Sequence, residues 1–167
     1  MKNSHCSYCG HKFEVPSGWP RQCRGCGQIS YKNPLPVSVV LLPINRGLLV
    51  VRRDIDPGKG LLALPGGFID SCETWQQAGK RELLEETGIE IRAEEIRLYD
   101  VISAPDDAII IFGLARKRSV EDLPAFRRTE EASEIGIIER PVALAFSTHS
   151  QVVERYFRTQ DPDDPSP

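Results

Sequence analysis

Between Thr74 and Gly88 the residue pattern leaves little freedom. Thr74 and Gln77 have the spacing of a capping box, and Gly88 stands where a helix ends on a left-handed glycine, so residues 74–87 are predicted to be α-helical. At about 100° per residue, Glu82, Glu85 and Glu86 fall on the side that carries Trp75, Ala78 and Gly79, while Gln76, Gln77 and Lys80 point away. A solvated face is the ordinary meaning of a charge run. Here the helix has its polar side elsewhere, and like charges three or four positions apart repel by roughly 0.2–0.5 kcal/mol per pair. A divalent cation would offset that repulsion, and clustered carboxylates suit Mg²⁺ or Mn²⁺ completed by substrate phosphates. Gly66 and Gly67, just before the helix, allow backbone to approach a ligand closely.

Around this helix the chain reads as strands. Residues 37–43 and 47–53 are β-rich apolar runs joined by Ile44-Asn45-Arg46, the pattern of a hairpin. A loop about Asp56-Pro57-Gly58-Lys59-Gly60 leads to a short apolar piece, residues 61–64, ending in Pro65-Gly66-Gly67. Further strands are expected at 96–103, 108–116 and 134–139, and a second helix at 149–158. With 167 residues, 40% of them hydrophobic, the chain has room for one ordinary domain plus a small appendage. No window approaches a membrane span, and residues 1–20 lack the apolar stretch of a signal peptide, so the expectation is a cytoplasmic protein without membrane association.

The appendage is the N-terminal segment. Cys6-Ser-Tyr-Cys9 and Cys23-Arg-Gly-Cys26 form two C-x2-C pairs, each followed by glycine. In a reducing compartment this favours metal over disulfides, and four thiolates at tetrahedral spacing suit structural Zn²⁺, with iron as the alternative in the same sulfur geometry. Such a segment has little core of its own, so metal supplies much of its folding free energy. Residues 1–36 carry +4 and the remainder −7, a contrast that marks two modules joined by an extended connector at 31–36, Tyr-Lys-Asn-Pro-Leu-Pro. The ribbon's charge makes nucleic acid thinkable, but basic and aromatic residues do not alternate along it, and the overall net charge of −3 argues against a general nucleic-acid binder. The boundaries expected are a zinc ribbon at 1–35, a second domain at 36–160 and a disordered acidic, proline-rich tail at 161–167.

Gly67, Glu73 and Arg81-Glu82-Leu83-Leu84-Glu85-Glu86-Thr87-Gly88-Ile89 together match G-x5-E-x7-R-E-U-x-E-E-x-G-U, U being aliphatic, at all nine constrained positions. The chain thereby resembles the Nudix family, and its ribbon is similar to the one preceding the Nudix domain in NADH pyrophosphatases and related zinc-ribbon members. The resemblance implies an α+β fold, the Nudix α/β/α sandwich with mixed sheet, preceded by the small zinc ribbon. It also implies metal-dependent hydrolysis of a nucleoside diphosphate linked to another moiety. Glu82, Glu85 and Glu86 would be metal ligands or general base for Mg²⁺ or Mn²⁺, the Gly67 carbonyl a further ligand, and Arg81 and Glu73 the groups that orient them. The signature that usually follows the box in NADH pyrophosphatases is absent, so the resemblance does not extend to NADH or NAD-capped RNA as substrate. Asp70 and Cys72 also depart from frequent family residues.

Beyond the box, Arg52 and Arg53 end an apolar strand, where the resemblance implies a contact to substrate phosphate. Of the acidic residues Glu130, Glu131 and Glu134, the last is the one assigned to the site and the others to solvent. Cys72 reads as a passive loop thiol, and His149 as a helix cap or an exposed residue. ADP-ribose, dinucleotides, flavin nucleotides and sugar nucleotides all present the required diphosphate. The alternative is a Nudix-like module that senses nucleotides without turnover, and the family admits a homodimer.

Overall fold

Residues 39–42, Val-Val-Leu-Leu, are all fully buried, which demands cover on both faces of the strand that ends among them. The cover is a helix on each side. Val39 and Leu41 pack with Val152, Val153 and Tyr156, while Val40 and Leu42 pack with Leu83, Ile89 and Ile91. The computed structural model describes residues 3–14, 18–105 and 107–160; the expected tail at 161–167 lies outside the described residues. The chain divides into two compact units, Met1–Pro34 and Leu35–Pro167.

In the first unit, β1 (Arg21–Gln22) and β2 (Ile29–Ser30) form a two-stranded antiparallel ribbon. The second contains β3 (Leu35–Leu41), β4 (Pro43–Ile44), β5 (Gly47–Arg53), β6 (Leu62–Ala63), β7 (Gly66–Phe68), α1 (Trp75–Thr87), β8 (Ile96–Ala104), β9 (Ala108–Ala115), β10 (Ala132–Ile138) and α2 (Ser147–Gln160). One sheet has the order β7-β3-β9-β8, with β3 and β9 parallel and the other pairs antiparallel. The other has the order β10-β5-β4, with β6 also pairing with β5. This is the α+β sandwich with mixed sheet that the sequence predicts. No helix among the described residues is long and apolar enough to cross a membrane.

Helix α1 has the expected ends. The Thr74 side chain accepts from the Gln77 amide, the Gln77 side chain accepts from the Thr74 amide at 2.7 Å, and Gly88 closes the helix in the left-handed conformation. Some local expectations are corrected. The hairpin is shorter than expected: through the tight turn Asn45-Arg46 it joins β5 only to Pro43 and Ile44, while β3, the bulk of the expected first strand, belongs to the other sheet. Continuous apolar character runs through both strands, so periodicity cannot reveal the change of sheet at Leu42. The connector ends earlier than expected, because Leu35 and Pro36 already pair with Ala108 and Ile109. Gly66 and Gly67, which end the short apolar piece, form β7 with Phe68 against Val39, Ser38 and Val37. Helix α2 begins at Ser147, two residues before the expected start.

Candidate active site and metal centre

The first unit brings together the four expected cysteines, whose sulfur atoms all lie within 4.8 Å of one another. Cys6 Sγ is 3.8 Å from Cys26 Sγ, and Cys9 Sγ is 3.6 Å from Cys23 Sγ. Sulfurs at the corners of a tetrahedron with metal bonds of about 2.3 Å are separated by about 3.8 Å, so the spacing fits Zn²⁺. The two knuckles repeat one backbone scheme: the Gly10 amide donates to the Cys6 carbonyl and the Gly27 amide to that of Cys23. Amide donation from Tyr8 and Cys9 draws the Cys6 thiol down to about 6, whereas at Cys26 the Gln28 amide is outweighed by the neighbouring sulfurs and burial, which push that thiol up to about 12. His5 and His11 are exposed and stand outside the cysteine group.

In the second unit, β7 delivers two glycines under α1. A Cβ at Gly66 would fall 2.3 Å from the Ser38 carbonyl oxygen, and one at Gly67 would fall 2.5 Å from the Glu82 carboxylate. Both contacts are far inside van der Waals distance, so only glycine lets this strand lie between β3 and the acidic side chains. The Gly66 amide then donates to Glu86 Oε2 at 3.1 Å, tying strand to helix.

Glu82 and Glu86 are buried, whereas Glu85 lies at the exposed edge of the same helix face. Together they line a cavity of about 150 Å³ with Thr129, Glu130 and Glu131. Burial pushes the Glu86 carboxyl up to about 8, against the Gly66 hydrogen bond, with the Glu82 and Glu131 charges adding to the rise. Burial also raises Glu82, although Arg81 pulls it the other way. The Arg81 guanidinium donates through Nε and Nη2 to Glu73, through Nη1 to Glu82 at 2.7 Å and Glu85 at 3.3 Å, and through Nη2 to the Phe68 carbonyl at 2.9 Å. It thus fixes the helix face relative to β7. That bond network holds Glu73 below the usual carboxylate range.

The donor set fits a hard divalent cation: the side chains are all oxygen donors, two of them are buried, and the missing side chain at Gly67 gives the Glu82 carboxylate room beside the strand. Among the described residues, the cysteines are the only group whose ligand atoms all converge within 4.8 Å. The carboxylates instead carry Arg81 between Glu73, Glu82 and Glu85.

The expected peripheral residues are distributed differently. Glu134 pairs across strands with Arg52, Nε to Oε1 at 2.5 Å, and does not line the cavity, whereas Glu130 and Glu131 do. A bulge between Ala132 and Glu134 carries Glu134 onto the Arg52 pairing and leaves the preceding coil over the helix. No periodic signal in that coil could have marked Glu131. Arg52 also donates to the Gly60 carbonyl and Arg53 to the Pro57 carbonyl, so both arginines brace the loop after β5. Cys72 is exposed, and its sulfur stands outside the group of four converging cysteines. His149 is the clear correction: it is 5% exposed and packs against Phe112 and Phe146. Its position on the inner face of α2, not its closeness to a helix start, decides its environment.

Comparison with known proteins agrees with this architecture. The NUDIX domain model matches residues 32–141, and the chain belongs to the Nudix family. The chain is 33% identical over 92 residues to the NAD-capped RNA hydrolase NudC of Haemophilus influenzae, a match covering 52% of this chain and 34% of that protein. It is 36% identical over 76 residues to the ADP-ribose pyrophosphatase of Methanocaldococcus jannaschii, covering 46% of this chain and 44% of the relative. The chain thus spans about a third to under half of these relatives' lengths. A NUDIX hydrolase structure from Nitrosomonas europaea superposes with a TM-score of 0.77 at 27% identity, covering 98% of this chain and 95% of that one. The bifunctional NMN adenylyltransferase/ADP ribose pyrophosphatase of Francisella tularensis, solved with AMP and a manganese ion, gives a TM-score of 0.56 at 30% identity, over 75% of this chain and 38% of the other.

Proposed function

We propose that the protein is a Mg²⁺- or Mn²⁺-dependent hydrolase that splits the diphosphate linkage of a nucleoside diphosphate derivative. The observation that carries this reading is the burial of Glu82 and Glu86 in one cavity beside Glu85 and Glu131, with Glu86 bonded only to the Gly66 amide among its described hydrogen-bond partners. Buried like charges are costly without a cation to offset them. Glu82, Glu85, Glu86 and the Gly67 carbonyl are the proposed ligands. When bound, the cation neutralises the diphosphate and lowers the pKa of an attacking water. A glutamate of the cluster accepts the proton of that water, and Glu131 enters as a candidate because it lines the same cavity. Arg81 and Glu73 hold the ligands in register. Arg52, Arg53 and Glu134 are proposed substrate contacts at the rim, with the two arginines releasing loop carbonyls to do so. Cys6, Cys9, Cys23 and Cys26 hold a structural Zn²⁺ and take no part in the chemistry.

The two relatives are an NAD-capped RNA hydrolase and an ADP-ribose pyrophosphatase, and NAD and ADP-ribose share an adenosine diphosphate. Such compounds therefore head the panel that tests the reading: ADP-ribose, a dinucleotide, a flavin nucleotide and a sugar nucleotide, each with Mg²⁺ or Mn²⁺ and products read by mass spectrometry. Cleavage into two monophosphates supports the proposal. Nucleotide binding with no cleavage of any compound overturns it in favour of a sensor. A homodimer is proposed as the assembly, to be read by light scattering.

A further inference from the structure

The segment from Leu62 to Gly67 crosses from one sheet to the other, because β6 pairs with β5 and β7 pairs with β3. Its backbone groups find partners one by one along the crossing. The Leu62 carbonyl accepts from the Ala145 amide at 2.7 Å, the Pro65 carbonyl from the Val40 amide at 2.9 Å, and the Gly66 amide reaches Glu86. Leu64, 2% exposed, sits at the crossing itself, and its amide donates at 3.3 Å to Nδ1 of His149. A buried amide left without an acceptor costs about 1–3 kcal/mol, so this imidazole has a defined task. The ring is held in place from two sides, edge-on to Phe112 at 5.6 Å between centroids and tilted on Phe146 at 5.0 Å. Because Nδ1 accepts, the proton of the neutral ring sits on Nε2.

We infer that His149 is a positioning residue for the acidic site: by accepting the Leu64 amide it fixes the chain as it enters β7 through Pro65, and through it the Gly66 amide on Glu86 and the Gly67 backbone under Glu82. The inference rests on the proposed function, since its value lies in setting the metal ligands. The chain of contacts is short and continuous. Leu64 stands two residues from the glycine whose amide fixes Glu86 and three from the glycine whose missing side chain makes room for Glu82. Helix α2, which contributes no carboxylate to the cavity, thereby takes part in shaping it. The imidazole does not line the acidic cavity and acts on it only through backbone.

The test compares the wild-type chain, residues 1–167, with His149→Leu, which fills the space but cannot accept, and His149→Asn, whose side-chain oxygen can accept in place of Nδ1. Mn²⁺ affinity is read by electron paramagnetic resonance, and kcat and KM are measured on ADP-ribose. Removing support behind metal ligands typically costs 10- to 100-fold, so His149→Leu should bind Mn²⁺ at least about tenfold more weakly and lose kcat in proportion, with KM little changed. His149→Asn should recover most of both. A purely packing role would leave Mn²⁺ affinity untouched in His149→Leu, or would fail to be rescued by Asn, and either outcome overturns the inference. Should His149→Leu fail to fold, nitrogen NMR on the wild type still decides, since a protonated Nδ1 or a rapidly exchanging Leu64 amide contradicts the proposed bond. Wild type that binds Mn²⁺ without cleaving any diphosphate overturns the hydrolase reading alone, because the affinity comparison remains readable.

Discussion

The Arg81 guanidinium grips the Glu73 carboxylate with two nitrogens, Nε to Oε2 at 3.3 Å and Nη2 to Oε1 at 2.8 Å, across eight residues of sequence. Glu73 in turn accepts from the Asp70 amide at 2.7 Å, so the pair locks the loop before α1 to the helix face that carries the acids. A planar fork is required for this, and a lysine cannot supply it. Arg81→Lys is therefore expected to lower kcat about 10- to 100-fold with weaker Mn²⁺ binding, while the melting temperature changes little. Steady-state kinetics and metal titration on the variant check this. An unchanged kcat would show that a single charge suffices.

Glu86 makes metal-free stability fall as pH rises. Its folded value is raised to about 8 from 4.5, so the folded state holds a proton that the unfolded state has released. The contribution is complete below 4.5 and is lost as pH rises through 8, at a limiting slope of about 1.4 kcal/mol per pH unit. Glu82, shifted in the same direction, adds to the trend. Glu86→Gln should flatten the dependence between pH 6.5 and 8, and chemical denaturation without added Mg²⁺ or Mn²⁺ measures it. Added Mn²⁺ should reverse the trend in the wild type by favouring the ionised cluster.

His149 acts with the opposite sign. Burial first, and then the Arg53 charge, depress its folded value to about 3 from 6.5, so the unfolded state takes up the proton first. Its contribution is complete above 6.5 and is lost as pH falls toward 3. The two groups oppose each other between 4.5 and 6.5, which makes Glu86→Gln the right background. In that background stability should drop as pH falls below 6.5, and the further change His149→Asn should remove the drop. Denaturation midpoints at pH 7 and pH 5 are sufficient.

Sequence made α1 and its face legible because the determinants are local: a capping box at Thr74, a left-handed glycine at Gly88, and acids at helical spacing. The cysteine pairs were equally plain, since spacing alone brings four sulfurs into a tetrahedral range. What escaped depends on contacts between distant segments. β7 is three residues long and two of them are glycine, so it has no strand signature until Ser38 and Val39 are beside it. Glu131 meets Glu82 and Glu86 only because the coil before β10 folds over the helix, while Glu134, one turn of strand further, is taken by Arg52. His149 could not be distinguished from an exposed helix-start residue without knowing which face of α2 meets Phe112.

Zinc content tests the ribbon. Sulfur separations of 3.6 and 3.8 Å call for one Zn²⁺ per chain, measured by plasma mass spectrometry. Cys9→Ser should lose most of it and unfold the ribbon, because metal supplies the folding free energy of so small a unit. The unit Leu35–Pro167 has its own core and should keep its melting transition. Loss of both transitions together would show that the units depend on each other.

Glu85 offers the most direct test of the catalytic account, because it is the exposed member of the acidic face and its replacement disturbs the core least. Glu85→Gln keeps the shape and removes one charge from the proposed ligand set. Turnover of the diphosphate panel by wild type and variant, at saturating Mn²⁺, is the deciding measurement. The account predicts a loss of at least about 100-fold in kcat with the metal-free fold intact or slightly stabilised. Equal turnover by the two proteins would contradict it.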